Sequence, residues 1–281
     1  MPTLFIFERI DREGFAALFS PHAKRIFFIG KKIFLLIIFF LLSFSTAHSQ
    51  AQPMIEVGKF STEKGVGGIP KNWKPLTFKK IERQTVYSLV RDGEAVVVRA
   101  VSEASASGLI REMKIDPKEY PIVQWRWKVE NILKKGNVYE KEGDDYPARL
   151  YITFEYNPSK VSFLEKAKFE AIRILYGQYP PMAAINYIWE SKAPVGTIVL
   201  NPYTDRVMML VVESGSVKIN QWVNEERNLH EDFKKIFGKE PPMISGVAIM
   251  TDTDNTGEHA ITYYGDVLFK KVRDESFYSI P

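Results

Sequence analysis

The run Asp252-Thr253-Asp254-Asn255-Thr256-Gly257-Glu258 is the densest set of oxygen-bearing side chains in the sequence. Calcium takes about six to eight oxygens from flexible loops of this kind, so Asp252, Asp254 and Asn255 are candidate Ca2+ ligands. The match to a helix–loop–helix calcium pattern is partial. Asp fills the first and third places and Gly the sixth, but Thr256 and Tyr263 stand where further ligands belong. The same residues also make plain turns, since Asp, Asn and Gly tolerate left-handed backbone. Asp144-Asp145 with Arg149 is the second constellation. It reads as an acid and base on a glycosidic bond, as a guanidinium clamp for a ligand carboxylate, or as an ordinary ion pair. Glu213 supplies a further carboxylate if its strand end meets Asp145 and Asp252.

Trp125, Trp127, Tyr151, Tyr187, Trp189, Trp222, Tyr263 and Tyr264 give the chain many ring-bearing groups. A sugar has an apolar face and a hydroxyl rim, which rings flanked by amide, carboxylate and guanidinium groups recognise. His230 opens His-Glu-Asp-Phe-Lys, where Lys234 replaces the second histidine of a zinc-protease helix. With His259 the only other histidine after the leader, surface and capping roles are expected for both. No nucleophile elbow or phosphate loop occurs. The absence of cysteine excludes thiolate chemistry and disulfide stapling.

These residues must be positioned by strands. Ile122 to Val129 alternates strictly and places Trp125 and Trp127 on its apolar side. In Ala148 to Tyr156, Leu150, Ile152 and Phe154 face one way, and Arg149, Tyr151, Thr153 and Glu155 the other. Asp92-Gly93 marks a hairpin. Val247 to Met250 and the aromatic run after Glu258 read as two antiparallel strands joined by the acidic loop. Further strands are expected at Met54 to Phe60, Asn186 to Trp189, Val207 to Glu213 and Lys218 to Val223. Apolar residues at every fourth position predict helical insertions over 162–177 and 225–238, each ended by glycine. About a dozen strands without a βαβ rhythm predict an all-β, antiparallel, jelly-roll-like β-sandwich with helical insertions.

Residues 1–51 read as a signal peptide behind an extended basic leader. Lys31-Lys32 precede the apolar run Ile33 to Leu42, and small residues follow up to Ala51. The run falls short of the about 20 apolar residues a bilayer needs, so contact with a membrane is expected only through this segment before its cleavage. A single domain is expected over 52–281. The whole chain carries a formal charge of +4, and the leader holds most of it. The remainder is near neutral, which gives no basis for a nucleic-acid partner.

WRWKV at 125–129, DDYPARLY at 144–151, NYIWE at 186–190, NPYT at 201–204, VVESG at 211–215, and MTDTDNTGE with YYGDV at 250–267 resemble the bacterial domain-of-unknown-function family numbered 3047. The resemblance implies an exported bacterial protein and no established activity. The opening Phe60, Gly67-Gly68-Ile69-Pro70, Trp73 is similar to the start of carbohydrate-binding jelly rolls, a likeness of fold only.

The expectation is a secreted or periplasmic β-sandwich that binds a glycan or other cell-envelope ligand on one sheet face. Asp145, Arg149, Tyr151, Trp189, Glu213, Asp252 and Asp254 are its expected lining. The alternatives are a carboxylate-dependent glycoside hydrolase or lyase, and a structural envelope interaction protein.

Overall fold

The computed structural model describes residues 53–156, 162–163, 166–167 and 181–272. The leader over 1–51 lies outside the described residues, as does all but a few positions of the helix expected over 162–177.

Alternating apolar residues build two sheets. One holds β1 (Met54–Gly58), β3 (Val86–Asp92), β4 (Ala95–Glu103), β6 (Ile122–Val129), β11 (Val223–Asn228) and β13 (His259–Lys270). Its strand order is β11-β6-β13-β4-β3, with β1 also on β13. The other holds β2 (Lys74–Leu76), β5 (Ala106–Ile115), β7 (Ala148–Phe154), β8 (Ala183–Glu190), β9 (Ile198–Leu200), β10 (Val207–Ser214) and β12 (Ile244–Asp252). Its strand order is β2-β5-β12-β7-β8-β10-β9. The sandwich is all-β as expected. Pairing is antiparallel except between β8 and β10, which run parallel.

The core lies between the sheets. Period-two alternation sends Val123, Trp125, Trp127 and Val129 inward from β6, and Leu150, Ile152 and Phe154 inward from β7. Trp125 stacks tilted on Tyr187 at 5.2 Å between ring centroids, and Trp127 meets Trp189 at 6.2 Å. At one end the interlayer space turns polar. Thr85 Oγ1 donates to Thr251 O at 2.7 Å, Tyr87 Oη to Ser107 O at 2.6 Å and Tyr264 Oη to Met250 O at 2.5 Å. Buried hydroxyls with partners are inexpensive and directional, so this network fixes the sheet ends that carry the loops.

A second, smaller apolar cluster sits on the outer face of the seven-stranded sheet. Val138 and Tyr146, from the loop after β6, cover Ile188, Met209 and Val211 there. All eight positions of β8 are therefore buried. The loop closes tightly at Gly143, where a Cβ would stand 2.7 Å from Asn137 N.

The helix expected over 225–238 begins later than its periodicity suggests. Glu225 to Asn228 belong to β11, hydrogen-bonded along β6 from Trp125 to Ile122. Helix α1 spans Leu229–Phe237, with Gly238 left-handed at its end. Pairing at the sheet edge overrides the helical preference of Glu-Glu-Arg, and Asn228 switches the backbone by accepting from Glu231 N at 3.1 Å. The strand expected at Lys218 to Val223 likewise begins only at Val223, after a turn. Asn228→Ala should lower stability by about 1 kcal/mol in urea denaturation, the usual cost of a lost helix cap.

Candidate functional site

Three loops meet beyond the ends of β7, β10 and β12. The loop before β7 carries Asp144, Asp145 and Tyr146, the one before β10 carries Asn201 and Tyr203, and the one after β12 carries Asp254 and Asn255. Arg149 lies at the centre and is 2% exposed. Its Nε donates to Asp252 Oδ1 at 2.7 Å and its Nη2 to Asp252 Oδ2, a two-toothed pairing. Nη2 also donates to Asp144 O at 2.7 Å, and Nη1 to Tyr151 Oη at 3.1 Å. The Tyr146 ring covers the guanidinium at 4.2 Å.

Asp145 ties two loops together by accepting from Thr256 N at 2.6 Å. Asn201 Nδ2 donates to Asp144 Oδ2 at 3.2 Å. Carboxylate oxygens of Asp145, Asp252 and Asp254 lie within 4.8 Å of one another. Among the buried polar atoms, Asp144 Oδ1, Asp145 Oδ1, Asn186 Oδ1 and Tyr146 Oη have no hydrogen-bond partner in the protein. Above them Tyr203 is 53% exposed. The Lys141 ammonium sits 4.8 Å from its ring centroid, and the Asn255 amide donates to its hydroxyl.

Four carboxylates thus surround one buried guanidinium. Burial pushes the carboxyls of Asp144, Asp252 and Asp254 up, with Arg149 pulling each of them down. Asp145 adds to the upward push on all three. Burial alone would lower Arg149, but Asp252, Tyr151 and Asp144 together hold it firmly charged. Burial raises Tyr151 to about 12, against the pull of Arg149.

Of the residues expected from sequence, Asp145, Arg149, Tyr151, Asp252 and Asp254 come together here. Two do not take the roles expected of them. Trp189 does not line a ligand face; it is fully buried between the sheets and its Nε1 donates to Gly215 O at 3.0 Å. Strand parity puts it beside Tyr187 in the core rather than beside Asn186. Glu213 follows a bulge after Val211, comes into register with Trp189, and pairs with Lys218. Its carboxylate neighbour is Glu225 of β11, away from Asp145 and Asp252. Asn255 commits its amide nitrogen to Lys141 O at 3.0 Å and to Tyr203, and Asp145 joins Asp252 and Asp254 in a carboxylate trio.

The face around Arg149 is also not the wet, open row that alternation suggests, because the loop before β7 folds over it. Asp252 has both oxygens on Arg149, which leaves it no free oxygen for acid–base work. Trp222 and Tyr263 lie on the outer face of the six-stranded sheet, away from this cluster, and like Tyr203 each ring has a cation of the chain beside it. Arg126 lies 4.5 Å from the Trp222 ring and Lys128 4.5 Å from the Tyr263 ring. His230 bridges Glu231 and Glu240 at 3.0 Å each, and His259 is exposed.

Sequence reasoning missed Tyr146, Asn201 and Tyr203 as parts of this site. Their signal was present in DDYPARLY and NPYT, strings that look like ordinary turns until the topology joins them.

Fold and site together define a two-sheet β-sandwich with a buried, acidic, arginine-centred cluster under loops at one end. The chain belongs to the family described as protein of unknown function (DUF3047), whose model matches residues 71–268. No curated protein matches the sequence. Among solved structures, one likeness is to the glycoside hydrolase domain of Spr0440, Endo-D from Streptococcus pneumoniae R6. It has 10% identity and a TM-score of 0.30, and covers 70% of this chain and 21% of that one. Another is to a family 12 xyloglucanase from Bacillus licheniformis in complex with ligand, at 8% identity and a TM-score of 0.40. It covers 77% of this chain and 97% of that one.

Proposed function

We propose that the protein is an exported binding protein that holds a hydroxyl-rich ligand, a cell-envelope glycan foremost, at the acidic end of the seven-stranded sheet. One juxtaposition carries this reading. An exposed ring, Tyr203, stands with Asn255 and the half-buried Asp254 at the edge of the carboxylate cluster, where Asp145 Oδ1 lacks a protein partner. Unpaired buried acceptors are costly, and sugar hydroxyls are donors that fit them while the sugar's apolar face lies on a ring. The basic leader, its short apolar run and the lack of cysteine support export to the periplasm or beyond. Among the described residues, no helix is long and apolar enough to cross a membrane.

The test is retention on a glycan array and on purified envelope polysaccharide. Wild-type protein should be retained, and Tyr203→Ala should weaken retention by about tenfold, roughly the worth of one ring stack. Equal retention of the variant, or none by the wild type, would remove the reading. Cell fractionation that leaves the full-length chain in the cytoplasm would remove the export part.

A further inference from the structure

We infer that the carboxylate cluster holds one calcium ion, bound by Asp145 and Asp254, with Asp252 engaged on Arg149 beside them. This deepens the binding site proposed above without depending on the ligand being a glycan. Asp145 lies in the loop before β7, Asp252 ends β12 and Asp254 follows in the next loop, and one oxygen of each lies within 4.8 Å of the others. Calcium takes about six to eight oxygens in flexible geometry, whereas magnesium demands a near-ideal octahedron and sheds its waters reluctantly, so an irregular set of loop carboxylates suits calcium.

A second observation points the same way. Asp145 is 1% exposed and its Oδ1 has no partner, although its Oδ2 is bonded to Thr256 N. Buried carboxylate oxygens without partners are held against a large desolvation cost.

The charges decide what kind of partner fits. Arg149 offsets one carboxylate through its two-toothed bond to Asp252. The nearby lysines are occupied elsewhere: Lys135 donates to Thr256 O at 3.0 Å and Lys141 lies over Tyr203. Arg149 also approaches Asp144 at 3.8 Å, so one guanidinium faces four carboxylates, and a doubly charged ion with oxygen preference supplies the missing positive charge. Neutral hydroxyls could satisfy the geometry but not the charge. The ion would also pin the 252–258 loop to the loop before β7, setting the position of Asn255 and Tyr203.

The test is calcium titration of the full chain by calorimetry after chelator treatment, with magnesium as control and no sugar present. One ion per chain is expected, with magnesium at least tenfold weaker. Asp254→Asn should weaken calcium binding at least tenfold; because Asp254 is only half-buried, the fold should persist, as circular dichroism will show. No heat with calcium, or unchanged affinity in Asp254→Asn, overturns the inference. Repeating glycan retention with calcium and with chelator separates the two proposals: retention unaffected by chelator leaves the ligand site standing and removes the ion, while calcium binding without retention does the reverse.

Discussion

Arg149→Met should destabilise the protein by about 3–5 kcal/mol in urea denaturation, the cost of stranding a buried charge by removing its partner. Methionine fills much of the arginine stem's volume, so the loss is electrostatic rather than a cavity. The guanidinium is what Asp252, Asp144 O and Tyr151 converge on, and three loops are ordered around it. Arg149→Met/Asp252→Leu should be less damaging than the arginine change alone, because the stranded carboxylate goes with it. If the two single changes simply add, the pair is not the anchor of this end of the sandwich.

Glu225→Gln should stabilise the protein at pH 8 by about 1–3 kcal/mol and leave it unchanged at pH 4. Burial first, and the Glu213 carboxylate second, raise Glu225 from its ordinary 4.5 to about 7. The unfolded chain releases this proton near 4.5 while the folded one keeps it to about 7. Stability is therefore undiminished below the lower value, falls as pH rises between them, and stays reduced above pH 7. Each pKa unit is worth about 1.4 kcal/mol, so the full loss is about 3 kcal/mol. Glutamine cannot ionise and still accepts from Trp127 Nε1, which lies 3.3 Å from the carboxylate. Urea midpoints of both proteins across pH 4–8 check this. A variant less stable at pH 8 than at pH 4, relative to wild type, would mean that Lys218 and Arg227 keep Glu225 ionised.

Much of the scaffold is legible before folding because alternation is a local property. Ile122 to Val129 is read at its true bounds, and Trp125 and Trp127 lie inward as their parity requires. The Asp92-Gly93 turn joins β3 to β4. What escapes local reading is whatever a partner decides. Glu225 to Asn228 take strand geometry because β6 offers hydrogen bonds, and Glu213 changes faces because of one bulge in β10. The site was half legible for the same reason. Arg149 and Asp252 are chemically conspicuous, but their burial depends on a loop whose packing on β8 has no periodic signature. Asn201 and Tyr203 gain meaning only when β8 and β10 run side by side.

The most direct test of the ligand site is residue-resolved amide shift mapping of the isotope-labelled protein, in calcium, with soluble fragments of envelope glycan. Perturbations centred on Lys141, Tyr203, Asp254 and Asn255, saturating together, are the predicted result. Perturbations confined to the Trp222 and Tyr263 face, or none at any concentration tried, would contradict it.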